Sequence, residues 1–211
     1  MILEGLVATI NPNGTPHVAP MGPTVDATMS TLILRPFPTS TTCGNLRQRG
    51  QGVLHVTDDV ELLAQAAVGR IDPPPRWIEA TAVEGWILAD ACRWYAFRVT
   101  EQDDSSQRVR FVCRVVDQGS LRDFFGFNRA KHAVVEAAIL ASRVQILPPA
   151  EIHRQFAQLA TLVEKTGGDQ EQRAFALLQR YVREHPSANS APAVVSGPGP
   201  AREWDEGCNR S

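Results

Sequence analysis

The first half of the chain carries its apolar positions in short runs that read as strands, and the runs end on turn residues. Leu3 to Ile10 reads as a strand, Asn11-Pro-Asn-Gly14 as a tight hairpin turn, and His17 to Pro20 as the returning strand, which stops at Gly22-Pro23. Thr31 to Arg35 is a third strand, closed by Pro36 and Pro38, and Gly52 to Thr57 a fourth. After the fourth strand, Asp58 with Glu61 three residues later has the spacing of a capping box, and a helix is expected through Leu62, Leu63, Ala66 and Ala67 to Gly69. Beyond Asp72-Pro-Pro-Pro75 come three longer strand-like stretches: Ala80 to Ala89, Trp94 to Thr100 and Arg108 to Val116. Many short strands and few helices point to a small closed or nearly closed barrel, which leaves little exposed edge.

From about Asn128 the period changes. Val134, Val135, Ala138 and Ile139 recur at helical spacing, as do Ile152, Phe156, Leu159 and Val163. Gly167-Gly168 ends that second helix. Asp169 with Gln172 has the pattern of a cap for a third, which places Phe175, Leu178 and Val182 on one face. The last two helices form a helical hairpin whose apolar stripes need either the barrel or a second subunit. From Pro186 onward the chain is rich in Ser, Ala, Pro and Gly and is expected to be a flexible tail. The division expected is a barrel domain over 1–145, a hairpin appendage over 146–185 and a tail over 186–211.

Composition narrows the function classes. The 211 residues carry 21 basic and 23 acidic side chains, a net charge of −2, which argues against a nucleic-acid binder. No apolar run approaches the roughly 18 residues of a membrane span, so no membrane contact is expected. The four cysteines are scattered with no CxxC pair, which suits reduced thiols and a cytoplasmic location better than a disulfide framework or a zinc site. The chain has no GxGxxG opening a helix, no GxxxxGK[ST], no HExxH and no GxSxG, and its five histidines lack ligand spacing. Side chains equipped for hydrolysis are missing, so a cofactor that brings its own reactivity fits best.

Two clusters suggest where such a group sits. In Arg35-Pro-Phe-Pro-Thr-Ser-Thr-Thr-Cys-Gly-Asn45 a strand ends on a guanidinium, four hydroxyls follow (Thr39, Ser40, Thr41, Thr42), and a short helix begins near Asn45. Hydroxyls and free N–H groups at a helix start beside an arginine suit a phosphate, although a solvated capping loop has the same composition. Farther on, Arg129, Lys131 and His132 occupy the first turn of a helix, the end where cations are disfavoured. A phosphate, an acidic side chain or a partner's carboxylates would relieve that conflict. His55-Val-Thr-Asp-Asp59 lies at a strand–helix junction, where Asp58 is explained as a cap and His55 as a satisfied strand residue. Ala19-Pro-Met-Gly-Pro23 allows a flat ligand close to the backbone.

These segments, with Glu4-Gly-Leu-Val-Ala-Thr9, Leu34-Arg-Pro-Phe37 and Arg129-Ala-Lys-His-Ala-Val-Val-Glu-Ala-Ala138, resemble the "domain of unknown function 447" family, of the FMN-binding split β-barrel superfamily. The resemblance covers roughly residues 2 to 184. It implies a mainly β protein with α elements: a six-stranded Greek-key split barrel with the helical hairpin at its C-terminal side. It further implies a homodimer with FMN in clefts between the subunits. The phosphate would fall to Arg35, Thr39, Ser40, Thr41 and Asn45. Val56, Thr57 and Asp58 would lie along the edge of the flavin ring, and Met21 and Gly22 near its face. Lys131 and His132 would reach the phosphate or ribityl chain, from the same subunit or the other. The expected function is an FMN-dependent oxidoreductase passing hydride or electrons to a small molecule, with NAD(P)H as a transient donor. The alternative is a non-enzymatic flavoprotein that stores FMN or senses redox state.

Overall fold

The structure is a computed structural model that describes residues 1–186, so the tail expected beyond Pro186 lies outside the described residues. Strand β1 (Gly5–Ile10) turns through Gly14, at φ 85°, into β2 (Pro16–Met21). The backbone then breaks at Gly22-Pro23, because proline has no N–H to continue the ladder. It resumes as the short β3 (Thr24–Val25), which pairs with β4 (Thr31–Leu34). Helix α1 (Thr41–Arg49) leads to β5 (Gln51–Val56) and α2 (Val60–Ala67). The small hairpin β6 (Trp77–Glu79) and β7 (Trp86–Leu88) precedes the long hairpin of β8 (Arg93–Asp103) and β9 (Arg110–Ser120). Helices α3 (Arg129–Ala141), α4 (Pro149–Thr166) and α5 (Asp169–Glu184) complete the described chain.

The main sheet is antiparallel, with order β2-β1-β5-β8-β9-β4-β3. It curls into a half-barrel. The residues before β1 reach across to β3, where Leu3 N–H donates to Pro23 O at 3.0 Å and Val25 N–H to Met1 O at 2.8 Å. Seven strands stand where six were expected, because the break at Gly22-Pro23 divides the second one. The stretch from Ala80 to Ala89 is also not one strand. Its middle turns, and only Trp86–Leu88 pairs, with Trp77–Glu79.

Neighbouring positions of β1 serve two cores, as strand alternation requires. Val7 joins Leu32, Leu34, Leu54, Phe97 and Phe111 inside the barrel, where Cys43 and Leu46 of α1 plug one end. Leu6 joins the outer core, which holds Val134 of α3, Ile152 and Phe156 of α4, and Phe175 and Leu178 of α5. With apolar packing on both faces, all six residues of β1 are buried. The stripes of the helical hairpin therefore pack on α2 and α3 of their own chain. Burying a side chain such as Leu178 contributes about 1.5–3 kcal/mol.

Two helix starts fall one residue away from expectation. Helix α2 is capped by Asp59, whose carboxylate accepts the Leu62 N–H at 3.0 Å, which leaves Asp58 free for another partner. Helix α5 begins after Gly168, whose N–H donates to Glu171 at 2.8 Å, so Glu171 and not Gln172 closes the turn. Helix α3 is capped by Asn128, which accepts the N–H groups of Ala130 and Lys131.

Candidate functional site

The end of β2, the loop after β4 and the start of α1 face the sides of α2 and α3 across a cleft of about 490 Å³. Leu63, Ala66, Val135, Ala138 and Ile139 give it an apolar wall from the helices. Met21 and Gly22 line it from the strand side. The backbone is crowded there: a Cβ added to Gly22 would lie 2.9 Å from Glu4 Oε1 and 3.0 Å from Ile2 Cγ2. Arg35, Ser40, Thr42, Arg108 and Arg143 add polar groups.

Helix α1 starts in this cleft. Ser40 holds an extended conformation, accepts the Cys43 N–H at 3.2 Å and donates its hydroxyl to Phe37 O at 2.8 Å. Gly44 N–H bonds Ser40 O at 3.1 Å. Among the described residues, the N–H groups of Thr41 and Thr42 have no acceptor, so two donors and the positive end of the helix dipole remain available. No acid occupies the first turn of α1 to take up that potential. The Arg35 guanidinium lines the same cleft and makes no hydrogen bond or ion pair among the described residues. An unpaired fork beside a helix N-terminus is chemically an anion receptor.

The structure brings Met21, Gly22, Arg35 and Ser40 together here and takes the other anticipated residues elsewhere. Thr39 and Thr41 have exposed side chains outside the cleft lining, while Thr42, turned inward, lines it and contacts His17 Nε2 at 3.2 Å. Burial lowers the affinity of His17 for a proton. Asn45 is 3% exposed, and its amide donates to Thr9 Oγ1 at 3.0 Å and Asn11 Oδ1 at 3.1 Å, tying α1 to the first hairpin. Val56 packs on the barrel core. Thr57 accepts the Asp59 N–H and lines a different hollow, beside Pro73 to Pro75. His132 is exposed, edge-on to Phe127 at 6.1 Å.

Asp58 and Lys131 belong to a closed ionic network. Asp58 accepts from Arg122 and, at 2.7 Å, from the Phe125 N–H. Burial raises its pKa, but the Arg122 bond, the Phe125 N–H and the charges of Arg122 and Lys131 outweigh it and hold the carboxyl at about 2. Lys131 Nζ reaches Asp58 O at 2.8 Å, Gln170 Oε1 at 2.9 Å and Glu171 Oε1 at 2.7 Å. An ammonium has three N–H donors, and all three are used within the chain. Of the three cations in that first turn, Lys131 thus has Glu171 as its anion. His55, 0% exposed, is a satisfied strand residue: its Nδ1–H donates to Leu6 O at 3.1 Å and its Nε2 accepts the Leu88 N–H at 3.0 Å. Burial pushes its pKa down to about 4.

Arg108, Arg143 and Glu4 are cleft residues that the sequence reading did not single out. Burial, with the charge of Glu136, raises the pKa of the Glu4 carboxyl. No local pattern marks the two arginines. Among the described residues no group of three or more His, Cys, Asp or Glu is placed to hold a metal, and no helix is long and apolar enough to cross a membrane.

The architecture is a curled antiparallel half-barrel backed by a helical layer, with the cleft between them. The chain belongs to the family described as protein of unknown function (DUF447), matching its N-terminal domain over residues 3–122 and its second part over 128–180. No curated protein matches the chain. Among solved structures it is similar to the FMN-bound protein MM1853 from Methanosarcina mazei. The TM-score is 0.74 at 21% identity, covering 85% of this chain and 94% of that one. It is also similar to a flavin reductase domain protein from Arthrobacter sp. FB24, with TM-score 0.50, 18% identity, and coverage of 58% and 80%. Flavoredoxin of Desulfovibrio vulgaris (Miyazaki F) gives TM-score 0.50 at 10% identity, with coverage of 56% and 69%. At these identities the likeness establishes the fold.

Proposed function

We propose that this chain is an FMN-binding flavoprotein that uses the cofactor to pass hydride or electrons to a small molecule. The observation that carries this reading is the unpaired Arg35 guanidinium in one cleft with the donor-bearing start of α1, continuous with an apolar wall. The groups present fit FMN. A dianionic monoester suits the fork of Arg35 and the free N–H groups of Thr41 and Thr42. A flat ring suits the helix wall opposite Met21 and Gly22. The volume falls in the ~300–1,000 Å³ range of ligand pockets. The name of the Methanosarcina protein supports the same choice of ligand.

FMN, when bound, supplies hydride and electron transfer; the chain's own part is to bind, orient and exclude water. Arg35 would hold the phosphate headgroup through charge-assisted bonds from its guanidinium. Met21 and Gly22 would lie along one side of the ring, and Leu63, Val135 and Ile139 would keep water from the other. Glu4, the carboxyl that lines the cleft, holds a proton more readily than a free glutamate and is placed to supply one at its Oε atoms.

The homodimer belongs to the same proposal. Phe124, Phe125 and Phe127 are 48%, 85% and 95% exposed on the segment before α3, an apolar display that suits burial against a second copy. Arg122 and Asp58 hold that segment in place. NAD(P)H is the proposed transient donor. Loading the purified protein with FMN and mixing it anaerobically with NADH or NADPH tests the reading. Loss of the flavin absorption near about 450 nm is the expected result. Bound flavin that no donor reduces means a storage or sensing protein, and no bound flavin refutes the reading altogether.

A further inference from the structure

The cleft carries more recognition chemistry than a single monoester uses. Phe37 lines it with 47% of its surface exposed, and the Arg108 guanidinium lies over its ring, 4.1 Å from the centroid. The backbone fixes the pairing, since Val109 N–H donates to Pro36 O at 3.2 Å and brings the start of β9 against the loop after β4. Arg108 does not turn to the acids of its own hairpin. Glu101 faces Arg110, Asp104 takes Arg47 at 3.0 Å, and Asp103 accepts the Ser105 N–H at 2.9 Å. The Arg108 guanidinium has no anionic partner among the described residues and points to the cleft beside Arg35. An aromatic ring, a guanidinium plane stacked on it and spare N–H donors together match a planar base that carries a phosphate.

We propose that the Phe37–Arg108 stack is a docking point for the adenosine-phosphate half of a dinucleotide. It rests on the FMN reading only in the choice of adenosine, which dinucleotide redox partners share. The base stacks on the pair and the phosphate takes the free guanidinium edge. Two sources present this group: an adenine-bearing electron donor, or the adenylate of FAD occupying the cleft in place of FMN.

Titrating 5′-AMP into the full-length protein, with and without FMN loaded, tests the proposal. AMP binds, and Phe37→Ala and Arg108→Gln each weaken it about tenfold. Phe37→Trp keeps the stacking and the affinity, and FMN affinity stays within about twofold in both Phe37 variants. AMP that competes with NADH or NADPH on the FMN-loaded protein identifies the donor as the source. FAD that displaces FMN and excludes AMP identifies the cofactor's own adenylate. No AMP binding at millimolar concentration, with or without FMN, overturns the proposal. So does AMP binding unchanged in both variants, or a loss of FMN affinity in Phe37→Ala equal to that in Arg35→Gln. AMP binding without any FMN binding supports the stack and refutes the FMN reading, so the two fail separately.

Discussion

Two groups of charges in this molecule show opposite economies. Around Asp58, Arg122, Lys131 and Glu171 every charge meets another, and Lys131 spends all three donors inside the chain. Around the cleft, Arg35 and Arg108 have no counter-ion among the described residues. Ionic groups that hold elements together are closed on themselves, whereas under the proposed function the open ones are those that meet the ligand. The first network joins the end of β5, the aromatic segment and the hairpin of α4 and α5. The second lines the cleft at the start of α1.

The largest expected effect breaks the closed group. Glu171→Ala strands the Lys131 ammonium in a poorly hydrated place and removes the acceptor of the Gly168 N–H. It should cost about 3–5 kcal/mol in urea unfolding, while any protein that remains folded binds flavin normally. Acid sharpens the same contrast. His55 titrates at about 4 in the folded chain against 6.5 when free, so the unfolded state takes up its proton first as the pH falls. Stability is full above pH 6.5 and declines by about 3 kcal/mol as the pH drops to about 4. His55→Gln should remove that slope, measured as unfolding midpoint against pH. Asp58 adds a lower window. Its folded pKa of about 2 lies below 3.8, so its contribution is whole above 3.8 and is lost by about pH 2.

On the open side the effects are on binding. Arg35→Ala should cost about 1.5–3 kcal/mol of FMN affinity with little change in the unfolding midpoint, because the guanidinium has no internal partner to lose. The smallest effect is expected at Thr39, whose exposed side chain lies outside the cleft. Thr39→Ala should shift neither stability nor flavin affinity by more than about 0.5 kcal/mol. A large loss at Thr39 would erase the distinction between the two groups.

Much of the barrel was legible because its signals are local. Asn11 to Gly14 needs a left-handed glycine, and β1 to β5 alternate between two faces. What escaped depends on distance along the chain. The misplaced charge of Lys131 at a helix start was visible, yet its pairing with Glu171 lies 40 residues on and leaves no trace in spacing. Asn45 looked like a helix-start ligand but faces inward to Thr9, a partner from the first hairpin. Adjacent Asp58 and Asp59 are interchangeable as caps on paper; Arg122 decides between them. Arg108 carries no local mark, since its value comes from where the hairpin of β8 and β9 folds.

The claim that the cleft grips a phosphate is tested most directly by comparing FMN with riboflavin, which lacks the phosphate, on the wild type and on Arg35→Ala. The wild type should bind FMN at least about tenfold more tightly than riboflavin, and Arg35→Ala should erase most of that preference while leaving riboflavin affinity unchanged. Equal affinities in the wild type, or a preference that survives the loss of Arg35, would contradict it.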